Sequence, residues 1–311
     1  MDYKKPSQKF TGKIREVTVG SGLKLGGESV LPFYTFDGDT GAKPAVGMEI
    51  WDVFPESWPQ SLKDIFGEYA DDPVKWAKFC IEKYNPDFIC IRFEGANPEG
   101  DDKSPEDCAK TAERLSREVS IPLMIAGCDS NEKNAKIFVK IAEALPDKNY
   151  VFLSAVEANY KEIGAACGMA YGNIVSAESS VDLNLAKQLN ILITQLGVKP
   201  EKMVMNPGCA AVGYGFEYVV TTMDRIRLAA LDQNDATLQL PIISPVSFET
   251  WKAKESIATE DDMPEWGDQE ERGIAMEVST AAGVLAAGSN AVILRHPKSV
   301  EIIRKFIDEL L

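Results

Sequence analysis

Histidine is almost absent from this chain: His296 is the only one in 311 residues. That scarcity excludes any multi-histidine metal site and leaves cysteine or serine nucleophiles short of a base, which argues against triad chemistry. The six cysteines, at 80, 90, 108, 128, 167 and 209, stand 10 to 42 residues apart with no C-x-x-C pair. Such spacing excludes a tight sequence-local iron–sulfur or zinc cluster, and in a chain this long it does not read as a disulfide framework. Long apolar runs are missing as well. None approaches the length of a membrane span, and the opening Met1-Asp2-Tyr3-Lys4-Lys5-Pro6 is charged and has no apolar leader core. Basic side chains are the minority, 33 Lys and Arg against 48 Asp and Glu for a net charge of −15. Nucleic acid and anionic membrane surfaces would be repelled. The expectation is a soluble, reduced, cytoplasmic protein.

What is present is an ordinary globular balance, 45% hydrophobic and 26% charged, enough for a large core and against disorder. The length allows two domains or one α/β barrel. Eight short, nearly continuous apolar runs read as parallel strands covered on both faces: 45–50, 88–93, 122–126, 150–154, 173–176, 202–206, 241–244 and 290–294. Helical spacing lies between them. Cys108, Ala112, Leu115 and Val119 share one face, as do Ala135, Phe138, Ala142 and Leu145; Val181, Leu185, Leu189 and Leu192; and Val300, Ile303, Phe306 and Leu310. Asp72-Pro73 and Ser104-Pro105 each place a capping residue before a proline suited to a helix start. Eight strand–helix repeats predict a (β/α)8 TIM barrel over residues 45–311. A doubly wound open sheet also alternates in this way, but no linker rich in Pro, Gly or Ser divides the chain.

Three segments break the repeat. Residues 1–44 hold two β-like stretches, 14–19 and 29–36, around Gly26-Gly27, and read as an N-terminal β-hairpin extension able to close the bottom of the barrel. Residues 51–70 read as a long loop carrying Trp51, Phe54, Trp58 and Phe66; Phe66 is expected to cover the core, while Trp51 and Trp58 are open between core and partner. Residues 245–268 add Trp251, Trp266 and an acidic stretch at Glu260, Asp261 and Asp262. Both long loops fall on the functional, C-terminal face of a barrel.

That face collects Glu49, Trp51 and Asp52; Glu94 to Asn97; Gly127, Cys128 and Asp129; Ser154 and Glu157; Ser176 and Glu178; Asn206 to Gly208; Ser244; and Arg295 with His296. Most of these acids read as caps of the following helices. Glu94-Gly95-Ala96-Asn97 stands out, since a carboxylate and an amide leave one strand together. The segment from Asn206 to Gly215 is rich in glycine and precedes a helix expected from near Phe216, a design for close backbone approach to a ligand or, equally, a tight turn. It matches neither G-x-G-x-x-G nor a P-loop. The loops after strands seven and eight hold no glycine cluster, so a sugar-phosphate site loses weight. His296, before Pro297, reads as a helix-start residue. Cys128, Cys167 and Cys209 read as small packing groups.

The chain resembles the small subunit of the corrinoid iron–sulfur protein, whose archaeal relatives are delta subunits of the acetyl-CoA decarbonylase/synthase complex. The resemblance is carried by Leu31-Pro32-Phe33 with Phe36-Asp37-Gly38, Val46-Gly47-Met48-Glu49, Ala77-Lys78-Phe79-Cys80, and Glu94 through Gly100 (EGANPEG). It continues in Lys187 through Ile193 (KQLNILI), Gly213-Tyr214-Gly215 with Glu217-Tyr218, Arg225-Ile226-Arg227-Leu228 and Arg295-His296-Pro297. It implies a TIM barrel in a heterodimer with a large subunit, a cobamide held between the two, and a [4Fe–4S] cluster on the large subunit only. It also implies three further partners: a methyltetrahydrofolate methyltransferase, acetyl-CoA synthase and a reductive activator.

The B12 motif D-x-H-x-x-G is missing around His296, so no histidine is supplied to cobalt in that way. The family pattern is a corrinoid with its lower base detached, which eases formation of the nucleophilic Co(I) that takes up the methyl group. Asn97, Gly208, Gly213, Tyr214 and Arg295, chosen from the strand ends, are the candidate corrinoid contacts, with no catalytic or metal-ligating residue. The barrel is also similar to pterin-binding methyltransferases and dihydropteroate synthases, whose sixth strand typically ends in Asp-Pro-Gly. Here it reads Asn206-Pro207-Gly208, and losing the carboxylate removes an acceptor for the pterin's N–H groups. The rival reading is a pterin-dependent methyltransferase acting on a corrinoid, with Asn97 and Asn206 holding the pterin and Glu94 or Asp129 aiding protonation. A third is a structural barrel that docks partners only.

Overall fold

Apolar five-residue runs separated by capped helices have one economical way to bury both strand faces, a ring of strands inside a coat of helices. The computed structural model describes residues 6–311 and has this arrangement. The stretch Met1 to Lys5, included above in the reading of the opening residues, lies outside the described residues. A short hairpin, β1 (Val17–Val19) and β2 (Leu23–Leu25), precedes the ring. The ring strands are β3 (Ala45–Trp51), β4 (Phe88–Arg92), β5 (Leu123–Ala126), β6 (Val151–Ala155), β7 (Ile174–Glu178), β8 (Met203–Asn206), β9 (Ile243–Ser244) and β10 (Ala291–Leu294). All neighbours pair in parallel in the order β8-β7-β6-β5-β4-β3-β10-β9, and a parallel bridge between Met205 and Ile242 joins the two ends. The eight strand runs and the (β/α)8 barrel expected from the sequence are therefore present.

The expected caps are in place. Asp72 accepts the N–H groups of Val74 and Lys75 at the start of helix Pro73–Tyr84, and Ser104 accepts that of Asp107 at the start of Pro105–Glu118. The sequence reading of 51–70 as a loop needs correction, because Gln60–Phe66 is helical. Phe66 does cover the core, and Trp58, left open above, is buried edge-on to both Trp51 and Trp76 with ring centroids 5.3 Å apart in each pair.

Side chains alternate in and out along each strand, and this parity builds the barrel interior in layers. Ala45, Phe88, Cys90, Met124, Val151, Ile174, Val204, Ile243, Ala291 and Ile293 form one apolar cluster inside the ring. Val17, Val19 and Leu25 belong to the same cluster, so the hairpin does plug the bottom. Its strands differ from those read in the sequence. The turn is Gly20-Ser21-Gly22, with Gly20 in the left-handed region at φ 57° and its N–H donated to Asn149 O. Residues 29–36 form turns, not a strand: Pro32 offers no N–H to a ladder and Phe33 has φ 62°.

Candidate binding site at the mouth of the barrel

One layer above the apolar cluster, the same inward parity places Glu49, Arg92, Glu178, Asn206 and Arg295, so the barrel ends in a polar mouth. Arg295 and Glu49 are both buried. The guanidinium donates Nη2 and Nε to Glu49 Oε2 at 2.9 and 3.1 Å and lies 4.1 Å over the Trp58 ring. Trp51 Nε1 donates to Glu49 Oε1 at 2.6 Å. Burial alone would push the Glu49 carboxyl up, but Arg295 and Arg92 outweigh it and hold Glu49 below its ordinary value. Arg92 is shared among acids: its Nε is 2.9 Å from Glu94, its Nη2 donates to Asp129 at 3.0 Å, and its guanidinium lies 5.0 Å from the Phe248 ring centre.

Across the mouth the chemistry is less charged. Asn206 Nδ2 donates to Glu178 Oε2 at 3.1 Å and to Ser154 Oγ at 3.2 Å, while Asn206 Oδ1 accepts the Gly208 N–H at 3.0 Å. Burial pushes the Glu178 carboxyl up and nearby Glu249 adds to this, against hydrogen bonds with Ser154 and Asn206. Two adjoining cavities, of 220 and 270 Å³, open here. Leu153, Ser154, Glu178, Phe248 and Glu249 line both, so the two cavities adjoin along these residues.

The five residues chosen from the sequence do not converge on one cavity. Gly208, at φ 94°, lines the second cavity. Asn97 sits on the rim, donating to Glu94 Oε1 at 3.3 Å and accepting the Glu99 N–H. It is turned there because buried Asp52 accepts the Gly95 N–H at 2.8 Å and fixes the single helical turn Glu94–Ala96. Gly213 and Tyr214 are exposed on the loop before helix Phe216–Leu231, with Tyr214 Oη donating to Glu255 at 2.6 Å. Arg295 is held beneath the mouth by Glu49.

Sequence reasoning missed Arg92, Phe248, Glu249 and Glu277. A lone cation in the apolar run FICIRF was a signal for Arg92; nothing in the spacing marked the others. Glu277, buried on helix Gln269–Ala286, accepts the N–H groups of Arg295 and His296 at 2.6 and 3.1 Å and so sets the end of β10. His296 is a helix-start residue as expected: Nδ1 accepts the Lys298 N–H at 3.0 Å, and Nε2 lies 3.0 Å from Glu270. Desolvation pushes the half-buried Cys209 thiol up to about 12, and the buried Cys128 and Cys167 thiols are raised as well. Among the described residues, no group of three or more His, Cys, Asp or Glu side chains is placed to hold a metal ion.

The family model of the CO dehydrogenase/acetyl-CoA synthase delta subunit matches residues 16–303. The chain belongs to this family. The acetyl-CoA decarbonylase/synthase complex subunit delta of Methanocaldococcus jannaschii is 30% identical over 98% of this chain and 76% of its own length. Subunit delta 2 of Methanosarcina acetivorans is 32% identical over 94% of this chain and 67% of its own. Among solved structures, this delta-family barrel is similar to a Coxiella burnetii dihydropteroate synthase in complex with pteroic acid. The TM-score is 0.56 at 10% identity, over 94% of this chain and 98% of that one. A Xanthomonas albilineans dihydropteroate synthase with 4-aminobenzoic acid gives 0.55 at 12%, over 86% and 93%. At such identities the likeness shows the barrel fold alone. Among the described residues of the delta-family chain, no helix is long and apolar enough to cross a membrane.

Proposed function

We propose that this chain is the corrinoid-holding small subunit of a cytoplasmic methyl carrier in the acetyl-CoA pathway, non-catalytic by itself. The observation that carries the reading is the donor set of the mouth in a chain of the delta family. Asn206, Ser154 and the backbone at Gly208, hydrogen-bonded among themselves, give two adjoining open cavities a polar, uncharged edge, which suits the amide-fringed edge of a corrin ring. The one imidazole is engaged at a helix start and the cysteine thiols are held protonated, so this chain's own part would be to hold the corrinoid without offering either as a metal ligand. When bound, the corrinoid supplies a cobalt centre that accepts and releases a methyl group. The chain's own part is to orient the ring edge and keep one face open to the methyltransferase and to acetyl-CoA synthase. The large subunit supplies the cluster and the other half of the corrinoid site, and a reductive activator restores the low-valent metal.

Co-expression with a cluster-bearing large subunit is expected to yield a heterodimer with corrinoid absorption. Failure of the chain to pull down such a partner from anaerobic extract would overturn the heterodimer. One observation favours the rival pterin-dependent methyltransferase: Glu178, a carboxyl pushed up by burial, faces Asn206 inside the mouth and is suited to donating a proton to a leaving amine. Glu94 and Asp129, the acids named for that role from sequence, are instead paired with Arg92. Micromolar binding of methyltetrahydrofolate to the isolated chain, with turnover on free cobalamin, would decide for the enzyme.

A further inference from the structure

Outside the two cavities of the mouth, an open groove of 570 Å³ has no part in the corrinoid reading. Val212 reaches it from the loop after β8, Trp266 from the loop after β9, and Ala275 and Met276 from helix Gln269–Ala286. Val212 and Ala275 are exposed, and Trp266 and Met276 are half-buried. Hydrogen bonds fix the shape of the groove. Arg272 donates Nη1 to Glu255 O at 2.5 Å, Nη2 to Ala258 O at 2.7 Å and Nε to Gly267 O at 3.3 Å, so its guanidinium is spent on the loop and does not recruit an anion. The Val212 N–H donates to Thr280 Oγ1 at 3.2 Å, and the Tyr214–Glu255 hydrogen bond ties the two loops together. A preformed groove with apolar side chains open to water is the form of a recognition surface.

Charge says what fits it. Residues 252–272 carry eight carboxylates against three cations, and one of those cations is the engaged Arg272. A second, Lys254, lies 5.4 Å over the Trp266 ring. Asp261, Asp262, Glu265 and Glu271 are exposed and have no ion-pair partner among the described residues. An incoming cation relieves the repulsion among them. Nucleic acid, an anionic membrane or a second copy of this chain, itself at −15, adds to it. We propose that the groove docks a basic segment of a partner protein. Its apolar side chains enter between Val212, Trp266 and Met276, and its lysines or arginines meet Asp261, Asp262 and Glu265. The groove is separate from the mouth, and the inference holds whether or not the mouth takes a corrinoid. The loop after β8 lines the mouth at Gly208 and Cys209 and the groove at Val212, so a partner docked here stands beside whatever the mouth holds.

The test is isothermal titration calorimetry of the full chain with three synthetic helical peptides. The first has leucine on one face and lysine on the other, the second has alanine in place of leucine, and the third has glutamate in place of lysine. The lysine–leucine peptide is expected to bind at least roughly tenfold tighter than the alanine version, the worth of burying one leucine side chain, and the glutamate version not to bind. Met276→Ser, and separately the triple variant Asp261→Asn, Asp262→Asn, Glu265→Gln, are each expected to weaken lysine–leucine binding by roughly five- to tenfold. The triple variant should also flatten its salt dependence. Unchanged circular dichroism identifies variants that remain folded, and the comparison among peptides needs no variant. Equal binding of the leucine and alanine peptides would reduce the effect to diffuse attraction by an acidic surface and overturn the groove. So would absence of binding, tight binding of the glutamate peptide, or undiminished affinity in the folded variants. Dimerisation of the wild-type chain in sedimentation, abolished by Met276→Ser, would give the groove to a second copy and overturn the basic partner.

Discussion

Arg295 and Glu49 face each other inside the barrel, one from the end of β10 and the other from β3, with guanidinium nitrogens 2.9 and 3.1 Å from one carboxylate oxygen and no appreciable solvent on either. Parallel register sets this meeting: Leu294 pairs with Met48, so the next residue on each strand points inward at the same height. Removing one partner leaves a buried charge. Glu49→Ala is therefore expected to cost about 3–5 kcal/mol in urea unfolding, and a loss below about 1 kcal/mol would show that the pair is dispensable.

The same carboxyl predicts a pH response. Glu49 is held below its ordinary value of 4.5, so its contribution is complete above that value and is lost as pH falls through the lower folded one. The stability gap between wild type and Glu49→Gln is expected to be constant from neutral pH down to this region and then to close. A gap that widened on acidification would contradict the assigned charge state.

Glu178 runs in the opposite direction. Its carboxyl is raised by burial, so the folded chain binds its proton more tightly than the unfolded chain, and stability falls as pH rises from the ordinary carboxyl range through the folded value. Glu178→Gln lacks this dependence. Unfolding free energies measured from pH 4 to 8 should show the variant gaining on wild type as pH rises; parallel curves would place Glu178 among ordinary surface acids.

Packing at the base of the ring gives a steric prediction. An added Cβ at Gly47 would lie 2.1 Å from the ring of Phe88, which is fully buried on the neighbouring strand. Gly47→Ala is expected to cost roughly 1–3 kcal/mol, as overpacked cores do, and the double variant with Phe88→Leu to recover part of it. A double-mutant cycle without coupling would mean that β3 and β4 separate at no cost.

The plug is tested at Leu25, which is wholly buried in the cluster of the barrel interior. Leu25→Ala should lower global stability by about 2–5 kcal/mol, whereas a hairpin that merely rested on the surface would lose far less.

Much of this molecule was legible along the chain. Eight apolar runs and their capped helices follow from local rules, because continuous burial demands β-branched and other apolar residues, and a helix start demands an oxygen such as that of Asp72 or Ser104. His296 as a helix-start residue was legible for the same reason. The first hairpin was legible only as a presence. Apolar content alone cannot distinguish Leu23–Leu25 from residues 29–36 as the second strand, since the choice depends on which side chains reach the barrel interior. The mouth was less legible still. Asn206 and Gly208 were readable as a strand end and a turn, but Phe248 and Glu249 lie forty or more residues beyond them and reach the same cavity through ring closure between β8 and β9. Likewise Arg295, read as a candidate corrinoid contact at a strand end, is held beneath the mouth by Glu49 from a strand that begins at Ala45. Sequence determined which segments form strands and helices, because those preferences act over a few residues. Closure of the barrel decided which polar groups meet, because charge pairing and cavity lining depend on distances that only the closed ring of strands sets.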